Sequence, residues 1–438
     1  MAPDLDTIVS LAKRRGFVFP SSEIYGGLAG AWDYGPFGSE LKYNIEHLWW
    51  KRFVSGREDM YGINSSILMN PKVWESAGHV QGFGDPLMTC ANCKNSFRAD
   101  EYGDGAPALC SFCGADTKSL STPRVFNTMF ATHVGVSKDE EHITYLRPET
   151  AQGMFVNFKN ILDSLHPKLP FGMAQIGKAF RNEIAPRDFL FRAREFGQME
   201  IEYFVKEAEW EKWFEYWRGE MVGWIEEIGI SKNRFHEREV SDTDRAHYSK
   251  RTIDFDYDFP FGRKELYGLA YRGDYDLRKH ETGSGADMRF TDPETGEKFV
   301  PHVIEPTFGV DRTVLAILCE AYAEEGSGEE KRVVLHFKPK LAPVKIAVFP
   351  LLRNKPELVT GAREVFQALK GMFPSTLWDD NGNIGKRYRR QDELGTPYCV
   401  TFDFESIEDK AVTVRDRDTM EQERIKVEEL PAYLSEKF

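Results

Sequence analysis

The order and spacing of strand-like segments constrain the fold of this chain more than any other sequence feature. Apolar residues alternate or run together, between Gly and Pro, at 143–158, 171–183, 195–205, 252–275 and 299–309. Helical periodicity is rarer and occurs at 40–53, 207–229 and 310–325. Since strands outnumber the helical crossovers that a parallel sheet needs, the sequence predicts an α+β fold with a mainly antiparallel sheet flanked by helices.

The composition changes near 326–343, where Gly, Ser, Glu and Lys precede a short apolar strand and two prolines. We interpret this segment as a linker. Beyond it, strands at 344–350, 376–380, 397–404 and 410–417 alternate with helices at 357–372 and 384–394. This alternation is typical of an α/β domain with parallel strands. We therefore predict two domains, 1–338 and 342–438, the first with a helical insertion at 206–250.

Composition excludes several classes of protein. With 438 residues, of which 41% are hydrophobic, the chain can bury more than one core, so global disorder is excluded. No run approaches the roughly 18 consecutive apolar residues of a membrane helix, and the first residues lack the apolar core of a secretory signal. We therefore expect a soluble cytoplasmic protein that has no membrane partner.

The net charge of −13 argues against nucleic-acid binding through bulk charge, although a local basic patch can still supply such contacts. One dense basic cluster surrounds Tyr388 and consists of Lys386, Arg387, Arg389 and Arg390.

Four of the six cysteines form two close pairs, Cys90-x-x-Cys93 and Cys110-x-x-Cys113, separated by sixteen residues. This spacing matches two knuckles that supply four thiolates to a tetrahedral Zn²⁺. Such a closed site is structural, because no coordination position is left for water. The alternative is four free thiols placed by chance. We predict a zinc-ribbon-like insertion at 88–116.

A second constellation lies on 171–205. If 171–183 and 195–205 are antiparallel partners, period-two alternation brings onto one surface Gln175, Arg181, Glu183, Phe196, Gln198, Glu200 and Glu202. The intervening loop adds Arg187, Arg192 and Arg194. Such a surface offers cations for phosphate oxygens, a ring for stacking on a base, and carboxylates for an ammonium group or a metal. The alternative is an exposed charged face with ordinary ion pairs.

The segment 305–312 contains the end of an apolar strand and the start of a helix. Gly309 permits close approach of the backbone. Arg312 falls in the first helical turn, where a cation is poorly placed for the helix dipole. A bound anion would explain that placement, and a surface ion pair with Asp311 is the alternative.

These residues resemble the signature motifs of class II aminoacyl-tRNA synthetases. Phe180-Arg181-Asn182-Glu183, Arg192-Ala193-Arg194-Glu195-Phe196 and Gln198-Met199-Glu200 are similar to motif 2, and Gly309-Val310-Asp311-Arg312 is similar to motif 3. The helix from Glu40, with the segment up to Pro71, is similar to the dimer-forming motif 1.

Within this class, four segments closely resemble glycyl-tRNA synthetases of the single-chain homodimeric type. They are Trp32-Asp33-Tyr34-Gly35-Pro36, Arg147-Pro148-Glu149-Thr150-Ala151-Gln152-Gly153, Glu265-Leu266-Tyr267-Gly268 and Glu305-Pro306-Thr307-Phe308-Gly309. The resemblance covers essentially the whole chain. The C-terminal part resembles the anticodon-binding domain of the histidyl, threonyl and prolyl enzymes.

The resemblance implies activation of glycine with ATP and its transfer to tRNA(Gly), with Mg²⁺ as a cofactor and Zn²⁺ as a structural metal. The implied catalytic residues are Arg181, Glu183 and Arg312. Arg181 would hold the α-phosphate and the substrate carboxylate, and Arg192 with Arg312 would hold the γ-phosphate of a bent ATP. Phe196 would stack on adenine, and Glu183 would accept from its amino group. Glu265 and Glu305 are implied near Mg²⁺ or substrate, and the other residues implied around ATP are Asn182, Phe191, Arg194, Leu266, Gly309, Val310 and Asp311.

Glycine has no side chain to grip, so larger amino acids must be excluded sterically. The family uses an ammonium clamp, which corresponds here to Glu149, Glu200 and Glu305. The other residues implied around the amino acid are Arg98 from the cysteine-bearing insertion, Phe196, Gln198, Thr307 and Gly309. The family usually has Ser at the position of Thr307, and the added methyl group either tightens the exclusion of alanine or points away.

A catalytically inactive binding subunit of the same fold is the alternative function. Such a chain is expected to lose ATP-binding side chains, whereas this chain retains Arg181, Glu183, Arg192, Phe196, Glu265 and Arg312. A synthetase for another amino acid disagrees with the glycine-type segments. The resemblance also implies a homodimer. It makes the basic cluster at 386–390 a candidate contact for the tRNA backbone, with a solvated helix face as the alternative.

Overall fold

The computed structural model describes residues 3–99, 109–110, 113–116, 120–246, 248–328 and 331–438. In the first half of the chain the helices are α1 Leu5–Arg14, α2 Pro36–Trp50, α3 Lys72–Ser76, α4 His79–Gly82, α5 Ala151–Phe155, α6 Phe158–Leu165 and α7 Trp210–Glu227. The strands are β1 Val18–Pro20, β2 Trp32–Tyr34, β3 Met60–Gly62, β4 Gly84–Thr89, β5 Ser96–Arg98, β6 Arg124–Asn127, β7 Ala131–His133, β8 Ile143–Tyr145, β9 Phe171–Phe180, β10 Glu195–Val205 and β11 Phe235–Glu239.

In the second half the helices are α8 Tyr275–Ser284, α9 Val310–Ala321, α10 Pro356–Met372, α11 Ile384–Leu394, α12 Phe404–Asp409 and α13 Leu430–Ser435. The strands are β12 Arg251–Phe259, β13 Gly262–Gly273, β14 Phe290–Thr291, β15 Lys298–Phe299, β16 His302–Gly309, β17 Tyr322–Glu325, β18 Arg332–Leu335, β19 Ile346–Pro350, β20 Thr376–Trp378, β21 Tyr398–Phe402, β22 Ala411–Asp416 and β23 Gln422–Lys426. None of these helices has both the length and the apolar character that crossing a membrane requires.

A seven-stranded sheet lies at the centre of the N-terminal part, in the order β11-β12-β13-β16-β10-β9-β3. Neighbouring strands are antiparallel, apart from the parallel pair β3–β9. β9 and β10 form the predicted hairpin, in which Glu200 lies opposite Gln175. The prediction of an α+β fold with a mainly antiparallel sheet flanked by helices is confirmed.

Helices α2, α7 and α9 cover one face of this sheet. The predicted stripe of α2 is buried, since Leu41, Ile45 and Trp49 recur every four residues and have no exposed surface. Each such side chain contributes about 1.5–3 kcal/mol to folding through the area it removes from water. From the hairpin, Met199 and Ile201 join the same core. The alternate residues of β10 therefore face the opposite side, where the candidate site lies.

The prediction of a strand over 143–158 is wrong for most of that segment. Only Ile143–Tyr145 is a strand, and Ala151–Phe155 is a helix, with a second helix from Phe158. A continuous apolar run does not distinguish a buried strand from a buried helix. Ala151, Met154, Phe155 and Phe158 are spaced as on one helical face, and all four belong to a single buried cluster.

Two predicted helical segments are shorter than expected. The helix predicted at 310–325 ends at Ala321, because the next residues, Tyr322–Glu325, pair with β18. The insertion predicted as helical at 206–250 contains α7, but it also contains Phe235–Glu239, which is the edge strand of the main sheet. At 322–325, backbone pairing with a neighbouring strand outweighs the helical pattern. The edge strand at 235–239 lies beyond the helical periodicity of 207–229, which α7 does follow.

The C-terminal part has its own five-stranded sheet, in the order β20-β19-β21-β22-β23. β19 is parallel to β20 and β21, and the other pairs are antiparallel. A separate buried cluster includes Val348, Leu358 and Val400. The predicted α/β domain is therefore present.

The segment interpreted as a linker is largely ordered. It contains β18, which pairs with β17, and the Asn44 side chain donates to the carbonyls of Leu341 and Ala342 at 3.2 Å. Residues 329–330 lie outside the described residues. The domain limits at 338 and 342 stay predictions.

The prediction that Arg387 contacts tRNA is wrong, because its side chain is buried. Only 1% of Arg387 is exposed, and its guanidinium donates to the carbonyls of Pro350, Asp380 and Gly382. Arg390 pairs with Asp379 at 2.9 Å. Arg387 therefore stabilises the interior of the domain through backbone carbonyls. The basic residues at 386–390 do not form a single charged surface.

Candidate active site

A cavity of about 450 Å³ opens over the polar face of the central sheet. Its floor is formed by β10, β13 and β16, and its walls by the loop between β9 and β10, the start of α9, and residues around Tyr248. The predicted site residues that line it are Arg98, Glu149, Arg181, Glu183, Phe191, Arg192, Phe196, Gln198, Glu200, Glu265, Leu266, Glu305, Thr307, Gly309, Asp311 and Arg312. One surface therefore carries Arg181, Arg192, the ring and most of the acids that the sequence predicted to lie together. Of the same predicted set, the cavity is not lined by Gln175, Arg187, Arg194 and Glu202.

Strand register places the polar residues of the floor. Glu200 of β10 lies opposite Thr307 of β16, and Thr307 lies opposite Gly268 of β13. Gln198 lies opposite Gly309 in the same ladder. Glycine at 268 leaves space above the sheet beside Thr307, because a glycine places no side chain there.

The deeper end of the cavity is a cluster of buried carboxylates around one guanidinium. Arg272 is 1% exposed, pairs with Asp276 through two hydrogen bonds of 2.7 and 2.8 Å, and donates to Glu305 at 2.6 Å. Glu149 and Glu200 are also buried and line the same end. Acids outnumber bases here, so this end favours a cationic group such as an ammonium ion.

The carboxylates of the deeper end do not share one protonation behaviour. Burial alone would raise the pKa of Glu149, but attraction and a hydrogen bond from His79, together with Arg272 and Gln152, hold that pKa well below its ordinary range. Burial, followed by repulsion from Glu149, raises the pKa of Glu200. Glu149 is therefore ionised at neutral pH, and an incoming cation would favour the ionised form of Glu200.

Glu200 is oriented by two hydroxyl groups. The Thr150 hydroxyl donates to its Oε2, and the Thr307 hydroxyl donates to its Oε1 at 3.1 Å. The hydroxyl of Thr307 therefore points toward the acid rather than away from the pocket floor. Its methyl group occupies space that Ser would leave open.

A polar layer beneath the carboxylates was not found from the sequence. The side-chain nitrogen of Gln152 donates to Glu149 at 3.1 Å and to Asp276 at 2.9 Å, and His280 Nε2 lies 2.7 Å from its oxygen. Arg272 was also missed, because its partners lie on other elements and no local spacing connects them. Gln152 lies in a segment that carries the family resemblance, although no role was assigned to it, whereas Arg272 could have been suspected only as a charged residue inside an otherwise apolar segment.

Glu202 lies next to this layer and is fully buried. Both of its carboxylate oxygens lack a hydrogen-bond partner among the described residues. Burial, followed by repulsion from Glu305, raises the pKa of Glu202 well above its ordinary range. This shift favours the protonated, neutral form of the Glu202 carboxyl.

The outer end of the cavity carries a ring and three arginines. Arg181 stacks over Phe196 with 5.3 Å from guanidinium carbon to ring centroid, and its Nε donates to the carbonyl of Pro148 at 3.1 Å. Glu183 lines the same wall, and its buried Oε2 has no hydrogen-bond partner among the described residues. This end offers an aromatic face, an unused acceptor and cations, which match a purine base and phosphates.

Arg312 is held on the opposite wall, in the first turn of α9. Its guanidinium lies 4.4 Å from the ring centroid of Phe191 and donates to the backbone carbonyl of Glu265 at 3.0 Å. Its ion pair is with Glu265, at 3.3 Å, and not with Asp311, which had been the alternative. The side chain remains partly exposed toward the cavity, where it can meet an anion.

Asp311 connects three elements instead. Its Oδ1 accepts from the Tyr34 hydroxyl at 2.5 Å, and its Oδ2 accepts from the backbone nitrogen of Gly197 at 2.5 Å. These bonds fix the start of α9 against β10 and β2. Asp311 therefore positions Arg312 relative to Phe196.

Three residues that the sequence placed around ATP do not line the cavity. Arg194 donates to the carbonyls of Glu183 and Ala29, so its guanidinium supports the loop. Val310 is fully buried in the main core. Asn182 is absent from the lining, although its backbone nitrogen donates to the carbonyl of Thr128 at 2.7 Å.

Two carboxylates at the outer end fit a divalent cation. Asp254 and Glu265 both line the cavity. Burial, followed by repulsion from Glu265, raises the pKa of Asp254 to about 7, even though Arg238 donates to it at 2.7 Å. Carboxylate oxygens are among the donors that Mg²⁺ prefers in proteins. Glu305 does not fit this role, because it is buried against Arg272.

The cysteine pairs lie together, and Arg98 extends from their ribbon. The four Sγ atoms are all within 4.8 Å of one another, with 3.8 Å between Cys90 and Cys113 and 3.7 Å between Cys93 and Cys110. Zn–S bonds of about 2.3 Å in a tetrahedron give an S–S separation of about 3.8 Å. The four thiols therefore fit Zn²⁺. Arg98 follows in β5, lines the cavity and pairs with Asp85 at 2.9 Å.

Comparison with known proteins agrees with this geometry. Residues 133–321 match the model of the class II tRNA synthetase core domain (G, H, P, S and T), and residues 345–437 match the anticodon binding domain. A glycine–tRNA ligase of Caldanaerobacter subterraneus is 50% identical, covering 99% of this chain and 98% of that protein. One from Staphylococcus aureus is 48% identical, covering 100% of this chain and 99% of that protein.

A solved structure also shares the fold. Prolyl-tRNA synthetase from Cryptosporidium parvum, complexed with L-proline and AMP, superposes with a TM-score of 0.66 at 15% identity. The match covers 98% of this chain and 75% of that one. At this identity the likeness extends to the fold alone.

Proposed function

We propose that this chain catalyses the reaction of the glycine–tRNA ligases, the family to which it belongs. It has a class II synthetase core and an anticodon-binding domain. Glycine and ATP give glycyl-adenylate and pyrophosphate. The 3′-terminal ribose hydroxyl of tRNA(Gly) then attacks the carbonyl of glycine, and AMP leaves.

The observation that carries this function is the joining of two unlike ends in one cavity. The outer end pairs Arg181 with Phe196, and the deeper end holds Glu149 and Glu200. A nucleotide at the outer end and an ammonium ion at the deeper end bring the α-phosphate and the amino-acid carboxylate together near Arg181. A catalytically inactive binding subunit is not favoured, since such a chain needs neither the nucleotide-binding groups of the outer end nor the acids of the deeper end.

The nucleotide end supports in-line attack mainly through charge and position. One oxygen of the glycine carboxylate attacks the α-phosphorus, and the bond to the pyrophosphate oxygen breaks. No general base is required, because the attacking oxygen is already ionised. Arg181 neutralises the α-phosphate and the carboxylate, while Arg192 and Arg312 hold the γ-phosphate. Such preorganised charge is usually the largest contribution to this kind of catalysis.

The adenine base is proposed to lie against Phe196. Its amino group would donate to Glu183, whose Oε2 has no other partner among the described residues. This bond selects adenine over guanine, because guanine presents a carbonyl oxygen at the corresponding position.

The deeper end selects glycine. Glu149, Glu200 and Glu305 surround the space for the ammonium group, and Thr307 lies on the floor. A side chain on the α-carbon would contact Thr307 or the strand backbone at Gly268. Gln198, Gly309 and Arg98 would complete the pocket, the last from the cysteine ribbon.

Two metals fit residues of this chain. Mg²⁺ would bind at Asp254 and Glu265 and would neutralise charge on the phosphates when bound. Zn²⁺ would bind the four cysteines as a closed structural site. The ribbon would then hold Arg98 at the cavity.

A homodimer is proposed for the assembled protein. Close to motif 1, the chain exposes a group of large apolar side chains: Ile24 by 88%, Tyr25 by 87% and Leu28 by 61%. Exposed apolar groups of this kind commonly mark a protein interface. Ile24→Glu should shift sedimentation toward monomer, whereas Val136→Glu, at another exposed position, should not. An Ile24→Glu variant that still sediments as a dimer would contradict the assignment of this surface to the dimer interface.

The function is tested by charging a tRNA(Gly) transcript with labelled glycine. The wild-type chain should charge it, and we propose the cytoplasm as the place of this reaction. Glu200→Gln removes one charge of the ammonium clamp and should lower kcat/KM for glycine about 100-fold. Glu211→Gln, an exposed acid on α7, is the matched control and should have no effect. Absence of charging, or equal effects of both variants, would contradict the proposal.

A further inference from the structure

Tyr248 lines the deeper end of the catalytic cavity from outside the central sheet. It belongs to segment 240–250, which connects β11 to β12. The ladders of β11 and β12 begin and end on either side of this segment, so Tyr248 is not a residue of the floor. Its side chain nevertheless lines the cavity, together with that of Ala246. The cavity is therefore bounded by the sheet and by a separate segment that carries an aromatic ring.

The ring of Tyr248 packs on the guanidinium of Arg272. The guanidinium carbon lies 3.8 Å from the centroid of the Tyr248 ring and 5.3 Å from that of Phe155. The nitrogens of the same guanidinium donate to Asp276 and Glu305. Because Arg272 is only 1% exposed, the Tyr248 ring is one of the groups that separate this cation from solvent. The ring is thus packed directly against the cation of the deeper end.

Strand alternation places this ring above the floor. Gly268, Ala270 and Arg272 alternate along β13, so their side chains point to the cavity face of the sheet. The guanidinium is the far end of a long side chain, so a ring stacked on it lies above the small residues of the floor. Thr307 lies beside Gly268 in the floor. The space for the amino acid is therefore bounded by Thr307 and Gly268 below and by the Tyr248 ring above.

Hydrogen bonds next to Tyr248 fix its position. The backbone nitrogen of Lys250 donates to the carbonyl of Tyr271 at 2.8 Å, and the hydroxyl of Ser249 donates to the carbonyl of Arg251 at 2.8 Å. These bonds hold the two residues after Tyr248 against the start of β12 and against β13. A ring held in this way can exclude even one methyl group, because packed protein interiors yield little.

The hydroxyl of Tyr248 lies near the acids that surround the ammonium group. Burial raises the pKa of this hydroxyl, Arg272 opposes the shift, and repulsion from Glu305 and Glu149 adds to it. The hydroxyl is therefore protonated at neutral pH and lies within electrostatic reach of two acids of the ammonium clamp. This places the side chain beside the amino-acid end of the cavity and not beside the nucleotide end.

We propose that Tyr248 is a specificity-determining residue that closes the glycine pocket on the face opposite Thr307. This rests on the proposed function and adds a second wall to its pocket. A glycine whose ammonium group lies among the acids and whose carboxylate points to Arg181 has its two α-hydrogens on opposite sides. One α-hydrogen faces Thr307 and Gly268, and the other faces the Tyr248 ring.

The two faces of the pocket reject opposite enantiomers of alanine. A methyl group in place of one α-hydrogen of glycine gives L-alanine, and a methyl group in place of the other gives D-alanine. The floor at Thr307 excludes one of these enantiomers, and the Tyr248 ring excludes the other. Glycine is achiral, so only a pocket that is closed on both faces rejects alanine of both hands.

The test measures exchange of labelled pyrophosphate into ATP with glycine, pure L-alanine and pure D-alanine, without tRNA. Tyr248→Ala should raise kcat/KM for one enantiomer of alanine, relative to that for glycine, about tenfold or more, the lower value for one methyl group in a pocket. The ratio for the other enantiomer should stay unchanged, and Thr307→Ser should raise that one instead. Partial unfolding lowers all three rates together and leaves these ratios unchanged.

Three further variants separate the ring from the fold. Tyr248→Phe keeps the ring and should keep the wild-type preference for glycine over both enantiomers. Tyr248→Leu keeps an apolar cover on Arg272 while shortening the side chain, so it repeats the measurement at less cost to folding. Tyr433→Ala removes a tyrosine of α13 that does not line the cavity, and it should behave like the wild type.

The outcomes distinguish the Tyr248 ring from the proposed function. Variants Tyr248→Ala and Tyr248→Leu that admit both enantiomers, or neither, would overturn the assignment of the ring and leave the enzyme assignment standing. Admission of the same enantiomer by Tyr248→Ala and by Thr307→Ser would overturn it as well, since the two residues then lie on one face. Wild-type protein without glycine-dependent exchange would instead overturn the proposed function.

Discussion

The two ends of the catalytic cavity are built in opposite ways. At the deeper end, Arg272 is buried and is paired with Asp276 and Glu305 before any substrate arrives. At the outer end, Arg181 and Arg312 rest on backbone carbonyls and aromatic rings and stay partly exposed. The comparison indicates that selection of the amino acid depends on the protein interior, whereas nucleotide binding depends on cations positioned at the surface.

The largest effect is expected at Arg272. Arg272→Met leaves several buried acids without their cation, so the free energy of unfolding should fall by about 3–5 kcal/mol. Urea denaturation measures this change. Arg263→Met, which breaks a pair between half-exposed partners, should cost less than about 1 kcal/mol. Equal costs for the two variants would remove the distinction between a buried and a surface electrostatic site.

The next effect separates chemistry from stability. Arg181→Ala removes a preorganised cation at the α-phosphate, so kcat for pyrophosphate exchange should fall about 100-fold to 1000-fold. The urea midpoint should stay close to that of the wild type, because the side chain is partly exposed. A loss of stability as large as that of Arg272→Met would show that the outer end is also a folding element.

Two variants of Thr307 separate the contribution of its hydroxyl group from that of its methyl group to glycine selection. Thr307→Val removes the hydroxyl bonded to Glu200 and should raise KM for glycine about tenfold. Thr307→Ser keeps the bond and removes the methyl group. It should leave glycine kinetics unchanged and raise kcat/KM for alanine about tenfold. An unchanged alanine rate would mean that the methyl group does not contribute to exclusion.

The smallest effect concerns Asp254, whose pKa is raised to about 7 by burial and by Glu265. The pKa of this carboxyl is higher in the folded than in the unfolded state, so its ionised form lowers the free energy of unfolding above pH 7. The free energy of unfolding rises again as the pH falls through about 7 and the carboxyl becomes protonated in the folded state. Asp254→Asn should therefore stabilise the protein by about 1 kcal/mol at pH 8, with no difference near pH 4. Mg²⁺ with ATP should raise the Tm of wild-type protein more than that of Asp254→Asn. Equal Mg²⁺ responses would contradict the assignment of this residue.

Local patterns in the sequence were sufficient for much of the fold and for the floor of the site. Period-two alternation predicted the β9–β10 hairpin and the common face of Gln198 and Glu200, because side-chain direction in a strand depends only on residue parity. The spacing of the cysteines predicted their cluster for a similar reason, since a knuckle is a local structure. The motif resemblance assigned roles to the outer arginines, which the strand alternation, the loop between the strands and the start of the helix had already indicated as anion contacts.

Other features depended on contacts between distant residues. Arg272 and Gln152 are 120 residues apart in sequence and meet through Asp276, and no local spacing reveals this. The sequence does not distinguish Arg387 from its basic neighbours, but Arg387 lies on the buried face of its helix. Arg194 belongs to a recognised motif but supports the loop instead of the cavity. Burial of a charged residue is decided by tertiary packing, which a charge pattern does not report.

The central claim is that this cavity joins glycine to a nucleotide through its buried acids and its outer arginines. The most direct test is exchange of labelled pyrophosphate into ATP with a panel of single amino acids and no tRNA. Glycine should support exchange, whereas alanine and serine should support little or none. Exchange driven by alanine or serine in place of glycine, or none with any amino acid, would contradict the claim.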